Sequence, residues 1–430
     1  MWTNWSGGQR CRPVATARPL DEAGVAGVIR RAAERGQTVR PVGAGHGFSD
    51  LAVTDGVHLD CSAFAGITGV SAVGGPEAGS GKAVVRVRGG TTVGELQEGL
   101  ADRGLALPVP LDLAAPTLGG ALAVGAHGSA ASRGSLAEQV LALRVVDGRG
   151  RVRDVPHADL DAARTALGAL GVILDAELAV VPATPVTVTR AQRPVDEVLD
   201  PTFWESHDLA EAALFPSSPT ALARWAGVAQ SVEEEAERGV GVTSAGATGR
   251  TALGGAVVVE RALPRLAPSL NRVVSRLART VSATGAGHRV LSSPPAVRYE
   301  QSEWAVPREV LVGSLRALLA QLADGLETGL PVRMRVGPAE RGWLHPAYGR
   351  ETGWVAVRVP RGTDPGPVLA RTASVMRAHG GRPHWGTRHD FDAVDVAAAY
   401  PRFADFARVR DDYDPDRVFT NPALARLLGD

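Results

Sequence analysis

Cysteine is almost missing from this chain of 430 residues: Cys11 and Cys61 are the whole supply. Two thiols fit neither a metal-site spacing nor a disulfide framework, so a reducing compartment, the cytoplasm, is expected. Long apolar runs are missing as well, none reaching the length of a membrane span. The amino terminus, Met-Trp-Thr-Asn-Trp-Ser-Gly-Gly, lacks a basic stretch followed by an apolar one, so no secretory signal is expected. Charge of one sign is absent too: 46 acidic and 46 basic residues cancel, and no block of like charge stands out. That argues against a nucleic acid or an anionic membrane as partner. No internal repeat recurs at a fixed period. What remains is a chain long enough for two or three domains, each with a substantial core.

Glycine, by contrast, is abundant at 51 residues. Its most telling use is Arg40-Pro41-Val42-Gly43-Ala44-Gly45-His46-Gly47-Phe48-Ser49-Asp50, which follows the strand-like run from Gln37. A strand entering a glycine-rich turn lets backbone N–H groups close on an anion, because no Cβ blocks their approach. His46 adds a nucleophilic ring to that loop. Taken alone, the segment also reads as an ordinary tight turn whose histidine is satisfied by loop carbonyls.

Hydrophobic spacing places a helix over 21–35, with Val25, Val28, Ile29 and Ala32 on one stripe. Strands are expected at 38–41, 57–60, 83–88 (running into Gly89-Gly90), 140–146, 152–155 and 173–181, and helices at 93–103 and 158–167. Between Leu107 and Ser135 the chain is dense in Gly, Ala, Pro and Ser and low in charge, as backbone packed against something flat would be. Composition changes near Pro182-Ala183-Thr184-Pro185, a candidate linker. Beyond it come strands, two long helices near 264–282 and 307–326, and a helical stretch from Ala399 to Leu428. The mixture reads as α+β with two domains.

Several further segments occur in a set order. They are Asn4-Trp5-Ser6-Gly7, Gly119-Gly120-Ala121, Gly125-Ala126-His127-Gly128-Ser129, Leu170-Gly171-Val172 and Gln301-Ser302-Glu303 with Pro307-Arg308-Glu309. Trp343-Leu344-His345-Pro346-Ala347-Tyr348-Gly349-Arg350, Arg382-Pro383-His384-Trp385-Gly386 and Phe419-Thr420-Asn421-Pro422 complete the series. With the Pro41–Asp50 loop, this series resembles the vanillyl-alcohol-oxidase-type flavoproteins, and within them the sugar-1,4-lactone and alditol oxidases. The resemblance implies a two-subdomain FAD-binding domain of the PCMH type over 1–183. It also implies a substrate-binding α+β domain with an antiparallel sheet over 184–398, and a helical segment over 399–430 that returns to the first domain.

In that family FAD lies extended between the two subdomains. The resemblance then assigns Pro41, Val42, Gly43, Ala44, Gly45, Gly47, Phe48, Ser49 and Asp50 to the pyrophosphate loop, with His46 bonded to the flavin 8α-methyl. Such a link raises the flavin potential and prevents loss of the cofactor. Pro116, Thr117, Gly119, Gly120, Gly125, His127, Gly128, Ser129, Ser135 and Leu136 are implied around the pyrophosphate and the flavin edge. Gly171 and Val172 are implied at the adenine, with His384 and Asn421 as further cofactor residues. Neither cysteine falls within 119–129, where a second attachment would be expected, so a single covalent bond and no metal are implied. Gly119 is the small residue expected beside the flavin ring, leaving dioxygen free access.

The chain departs from this family where substrate is read. A Glu-x-Arg strand becomes Arg333-Met334-Arg335, the lysine after His-Trp-Gly becomes Thr387, and a serine ahead of the first glycine pair becomes Asp112. The strand after Tyr348-Gly349-Arg350 carries Ala356 and Arg358 where the alditol enzymes have His and Thr. Arginine only donates, so it cannot replace an acid that accepts hydroxyl hydrogen bonds. Either Arg333, Arg335 and Arg358 belong to a re-paired network with acids such as Asp112, or the substrate brings negative charge. Arg335 is expected to stabilise charge near the flavin or the substrate oxygen. Asp112, His345 and His389 are candidate bases. The expected activity is oxidation of an alcohol C–H by hydride transfer to flavin N5, with O2 as acceptor giving H2O2. The alternatives are an aldonolactone or alditol oxidase of primary metabolism, a dehydrogenase of the same fold using another acceptor, or a flavin-binding relative without turnover.

Overall fold

In the computed structural model, which describes residues 1–72, 83–229, 280–292, 294–326 and 329–430, the first sheet is parallel. It comprises β1 (Ala15–Ala17), β2 (Val39–Val42) and β3 (Val57–Asp60) in the order β1-β3-β2, with α1 (Glu22–Glu34) between β1 and β2. Asp21 starts α1 by accepting the Gly24 N–H at 2.7 Å, and the helix buries Val25, Ile29 and Ala32 from the expected stripe.

The second sheet is antiparallel, ordered β7-β6-β8-β5-β4. Its strands are β4 (Ile67–Ala72), β5 (Ala83–Arg88), β6 (Val140–Val146), β7 (Val152–Asp154) and β8 (Val172–Pro182). α2 (Val93–Ala101) follows β5 and opens on a capping box between Thr92 and Glu95. The small-residue segment contains α3 (Leu118–Val124), whose Leu118, Ala121 and Leu122 are buried. The helix expected over 158–167 is only one turn, Leu160–Ala163, because Leu167 (φ 55) and Gly168 (φ 72) adopt left-handed backbone and turn the chain out.

Eight antiparallel strands form the third sheet, in the order β12-β9-β11-β10-β14-β15-β13-β16. They are β9 (Pro185–Pro194), β10 (Leu209–Leu214), β11 (Thr220–Val228), β12 (Val281–Ala286), β13 (Tyr299–Pro307), β14 (Val332–Gly337), β15 (Thr352–Pro360) and β16 (Arg382–Pro383). The helix expected near 264–282 falls mostly outside the described residues. Its described end is β12, paired along β9 from Val281 to Ala286, so strand pairing overrides local periodicity there.

This sheet has two unlike faces. Met334 pairs with Val355, and Val355 with Trp304, so these side chains share a face. They pack in one core with Leu315 and Leu318 of α4 (Leu311–Ala323) and Val368 and Met376 of α5 (Gly366–Ala378). Strict alternation then turns Arg333, Arg335, Trp354, Ala356, Arg358, Gln301 and Glu303 to the opposite face.

The carboxyl-terminal stretch is three helices rather than one: α6 (Ala393–Ala399), α7 (Phe403–Tyr413) and α8 (Pro422–Leu428). The breaks fall at Pro401 and Pro415, since proline lacks the N–H and restricts the residue before it, and Pro422 opens α8. The stretch returns to the first sheet. Val39 N–H donates to Val418 O at 2.7 Å, and the buried Arg40 guanidinium donates to Leu51 O, Leu167 O and Phe419 O.

Candidate functional site

Between the first and second sheets lies a narrow cleft. Pro41, Val42 and Gly43 line it from the end of β2, Thr117, Gly119 and Gly120 from the start of α3, and Gly171 and Val172 from β8. Gly89 and Gly90 at the end of β5 also line it, as do Gly168 and Leu170; of these, only Leu170 falls in a segment the sequence singled out for the cofactor. The walls are close-packed backbone. A Cβ on Gly43 would lie 2.2 Å from Thr117 Oγ1, and one on Gly171 (φ 140) would lie 2.5 Å from Val146 O. Gly119 is also closely packed: its N–H donates to Gly89 O at 2.8 Å, and a Cβ would meet that carbonyl at 3.2 Å. A narrow trough with glycine walls fits a flat, extended dinucleotide.

His46 lies past the end of this trough. Burial lowers its pKa, which keeps the ring neutral. The ring stacks on Trp5 (5.7 Å, 19°), and among the described residues nothing hydrogen-bonds it. The loop itself is held from three sides. Asn4 Nδ2 donates to Gly47 O, Trp5 N–H to Gly45 O and Phe48 N–H to Gly386 O. Ala44 and Gly47 are exposed at the tip of the loop.

Several residues implied at the cofactor have other work. The Phe48 ring enters a small core with Tyr299 and Leu330, and Ser49 precedes a tight turn at Asp50–Ala52. Asp50 pairs with Arg426 at 3.0 Å, and Asn421 Nδ2 donates to Val53 O at 2.7 Å. Pro116 O accepts the Val93 N–H, Ser135 N–H donates to Glu340 Oε1 at 2.6 Å, and Leu136 is core. These residues brace the loops rather than line the trough. Gly125 (φ 70) ends α3, and a Cβ there would strike the His345 ring at 2.6 Å. Ser129 O accepts the Ala210 N–H, so the loop after His127 is tied to β10.

The polar face of the third sheet gathers the substrate candidates. Arg333 donates to Asp112 at 2.8 Å and also pairs with Glu211 of β10. Arg224 of β11 reaches the same two carboxylates at 3.1 and 3.3 Å. Arg335 donates to Glu303 Oε1 at 3.2 Å, while Gln301 Nε2 donates to Glu303 Oε2 at 3.3 Å. Burial alone would raise the Asp112 carboxyl, yet Arg224, Arg333 and Arg335 hold it well below the usual carboxylate range. Glu303 is likewise held low against its burial, by Arg335 and His127. Burial and then the neighbouring Arg335 push the Arg333 guanidinium down to about 9. Arg358 sits on the same face with its guanidinium 5.3 Å from the Tyr299 ring centre.

Sequence reasoning brought Asp112, Arg333, Arg335 and Arg358 to one place and missed Glu211, Arg224, Glu303 and Trp354. Glu303 stood inside the Gln301-Ser302-Glu303 segment; the other three carry no signal beyond strand alternation. Thr387 is not on the polar face. Its hydroxyl donates to His384 O and accepts the Glu303 N–H, holding two backbones together. His345 is fully buried with Nδ1 accepting the Ala347 N–H, and His389 is buried beside the Trp385 and Phe391 rings, its pKa lowered to about 4 by burial. His345 meets the polar face only at the Trp354 ring, 6.1 Å between ring centres, and His389 does not reach it.

His127 does. It stacks on Trp354 at 3.8 Å, and its Nε2 lies 3.6 Å from Glu303 Oε1. His127, Glu303 and His384 offer ligand atoms within 4.8 Å of one another. Two of the three are already engaged: Arg335 is on the carboxylate and the Gly386 N–H is on His384 Nδ1. That donor set suits an organic ligand better than a metal ion.

Residues 13–156 match the FAD binding domain family and residues 176–427 the D-arabinono-1,4-lactone oxidase family. The chain is 33% identical over 448 aligned residues to L-gulono-1,4-lactone dehydrogenase of Mycobacterium tuberculosis, covering 100% of this chain and 99% of that one. It is 28% identical over 446 residues to alditol oxidase of Streptomyces sp., covering 99% and 98%. Cholesterol oxidase from B. sterolicum shares the fold, with a TM-score of 0.78 at 18% identity over 99% of this chain and 96% of that one. The glycine trough, the polar sheet face and these likenesses together identify the chain as an FAD-dependent oxidoreductase belonging to the D-arabinono-1,4-lactone oxidase family.

Proposed function

We propose that this enzyme oxidises the carbinol C–H of a hydroxylated, negatively charged substrate, using O2 as acceptor and giving H2O2, on FAD bound covalently through His46. The relatives support a lactone or polyol skeleton. The observation that carries the anionic charge is Arg333 beside Arg335 on one strand, the first half-buried and the second buried, on the polar face of the third sheet where the family's acid would otherwise accept hydroxyls. A carboxylate or phosphate on the substrate would meet these guanidiniums in competition with Asp112, Glu211 and Glu303, which already pair with them. Support for the covalent link is the neutral, stacked His46 ring with no hydrogen bond among the described residues.

Bound FAD supplies the two-electron acceptor. The chain supplies the rest. The glycine trough holds the dinucleotide, and Arg335 offers a fixed cation to charge developing on substrate oxygen. The Trp354 ring and the packed loops exclude water. The division at 183 and 398 goes with this reading. The third sheet starts at Pro185, and Val418, Phe419 and Asn421 bond back to residues 39–53. No helix among the described residues is long and apolar enough to cross a membrane, and both cysteines are free, which supports a reducing compartment.

The test is peroxide release over a panel of aldonolactones, alditols and their carboxylated or phosphorylated counterparts. Turnover confined to the neutral members overturns the anionic assignment. Acid precipitation tests the link: a colourless wild-type pellet overturns it. A second reading, a dehydrogenase with another acceptor, draws on the mycobacterial relative's name, and sluggish reoxidation of reduced enzyme in air would favour it.

A further inference from the structure

Oxidising an alcohol requires a group to take the hydroxyl proton, and the carboxylates of the polar face are poorly suited. Asp112 lies among Arg224, Arg333 and Arg335, and Glu211 between Arg224 and Arg333, so each is stabilised as an anion and is a weak base. Among the histidines, His389 does not reach the face, His345 Nδ1 already accepts the Ala347 N–H, and His384 Nδ1 already accepts the Gly386 N–H.

His127 differs in its hydrogen bonding. Its Nδ1 lies 3.0 Å from Gly128 O, and a carbonyl can only accept, so Nδ1 carries the proton. When the ring is neutral, the lone pair is therefore on Nε2, and Nε2 faces the polar side of the sheet, 3.6 Å from Glu303 Oε1. Trp354 fixes the ring plane by stacking at 3.8 Å and 21°. The groups facing His127 from the elements around it are Glu303 on β13, Arg335 on β14, and the neutral rings of His384 and His345. Glu303 is the one anion among them. A proton gained at Nε2 would lie against that carboxylate, an arrangement that stabilises an imidazolium formed during reaction.

We propose that His127 Nε2 is the base that takes the substrate hydroxyl proton, with Glu303 as the positioning residue that stabilises the resulting imidazolium. The proposal rests on the alcohol-oxidation reading above. In the balance of the step, the O–H bond breaks and its proton forms a bond to Nε2, while the O–H pair becomes the second bond of the carbonyl. The C–H bond breaks and its pair passes to bound FAD as hydride, so substrate is oxidised and cofactor reduced by two electrons.

The FAD-loaded wild type, His127→Asn and Glu303→Gln enzymes are mixed anaerobically with L-gulono-1,4-lactone, xylitol and 6-phosphogluconate, and flavin bleaching is followed against pH. His127→Asn is expected to bleach about 100-fold more slowly and to lose the acid limb of the pH profile, with partial rescue by added imidazole. Photoreduction of its flavin is expected to be unchanged. Glu303→Gln is expected to move the acid limb of the bleaching profile, with kcat falling more than KM rises. Bleaching of His127→Asn within about threefold of wild type, or an acid limb unmoved in Glu303→Gln, overturns the proposal and leaves the function standing. Failure of every probe to bleach the wild type overturns the function and the proposal with it.

Discussion

Arg333 and Asp112 form an ion pair at 2.8 Å across 221 residues of sequence, joining a strand of the third sheet to a loop near the FAD trough. Arg224 and Glu211 complete a four-membered network around them. Removing one partner of a buried pair strands the other charge without its counterion. Asp112→Asn is therefore expected to cost about 3–5 kcal/mol of stability in urea unfolding. The double variant Asp112→Asn, Arg333→Met should cost markedly less, because it removes the stranded cation. Equal losses in both would show that the pair is not coupled.

Gly171 lines the trough with φ 140 and has no room for a side chain beside Val146 O. Gly171→Ala should destabilise the protein by about 1–3 kcal/mol and lower the flavin-to-protein absorbance ratio of purified enzyme. Full flavin content with unchanged stability would mean the backbone shifts at little cost.

Asn421 ties the last helix to the loop behind His46. Its Oδ1 accepts the Leu424 N–H at 2.9 Å, while Nδ2 donates to Val53 O at 2.7 Å and Leu51 O at 3.1 Å. Asn421→Ala removes a helix cap and leaves buried carbonyls unpaired, so a loss of about 2–4 kcal/mol is expected in urea unfolding. Asn421→Asp should recover the cap but not the carbonyl partners, and so fall between the two.

Stability should fall on both sides of neutral pH, for separate reasons. Burial and the nearby Glu138 push the Glu340 carboxyl from 4.5 up to about 8, so the native state holds a proton that the unfolded chain has released. Its contribution is lost as pH rises through that window. Asp112 and Glu303 are shifted the other way, so their contribution is present above their ordinary values of 3.8 and 4.5 and is lost as pH falls below them. Urea midpoints measured from about pH 3 to pH 9 should trace a dome, and Glu340→Gln should flatten its alkaline limb alone.

The glycine loops were legible because their demand is local. Gly43, Gly45 and Gly171 are required by backbone angles or by contacts a Cβ would violate, and such requirements appear in the sequence as glycine itself. Strand and helix stripes were legible for the same reason, apart from the helix expected over 158–167, cut to one turn before Leu167 and Gly168, and Val281 and Ser282 at the end of an expected helix, which pair with β9. The polar face was half legible. Arg333 stood out as a departure from the family and Arg335 as the arginine it keeps, but their counterions Asp112, Glu211 and Glu303 come from other elements, and no local pattern links them. Thr387 shows the opposite case: a position where the family carries lysine became a backbone tie.

The sequence by itself determined the α+β architecture and the glycine loops, because these follow from backbone freedom and side-chain periodicity within short segments, while FAD came with the family resemblance. Only the tertiary structure decided which charges meet. The pairing of Arg335 with Glu303, the cage around Asp112 and the facing of His127 Nε2 toward a carboxylate depend on strand register between β13, β14 and β15 and on how the loops pack over that face. A shift of one residue in that register would turn every one of the sheet's arginines into the apolar core.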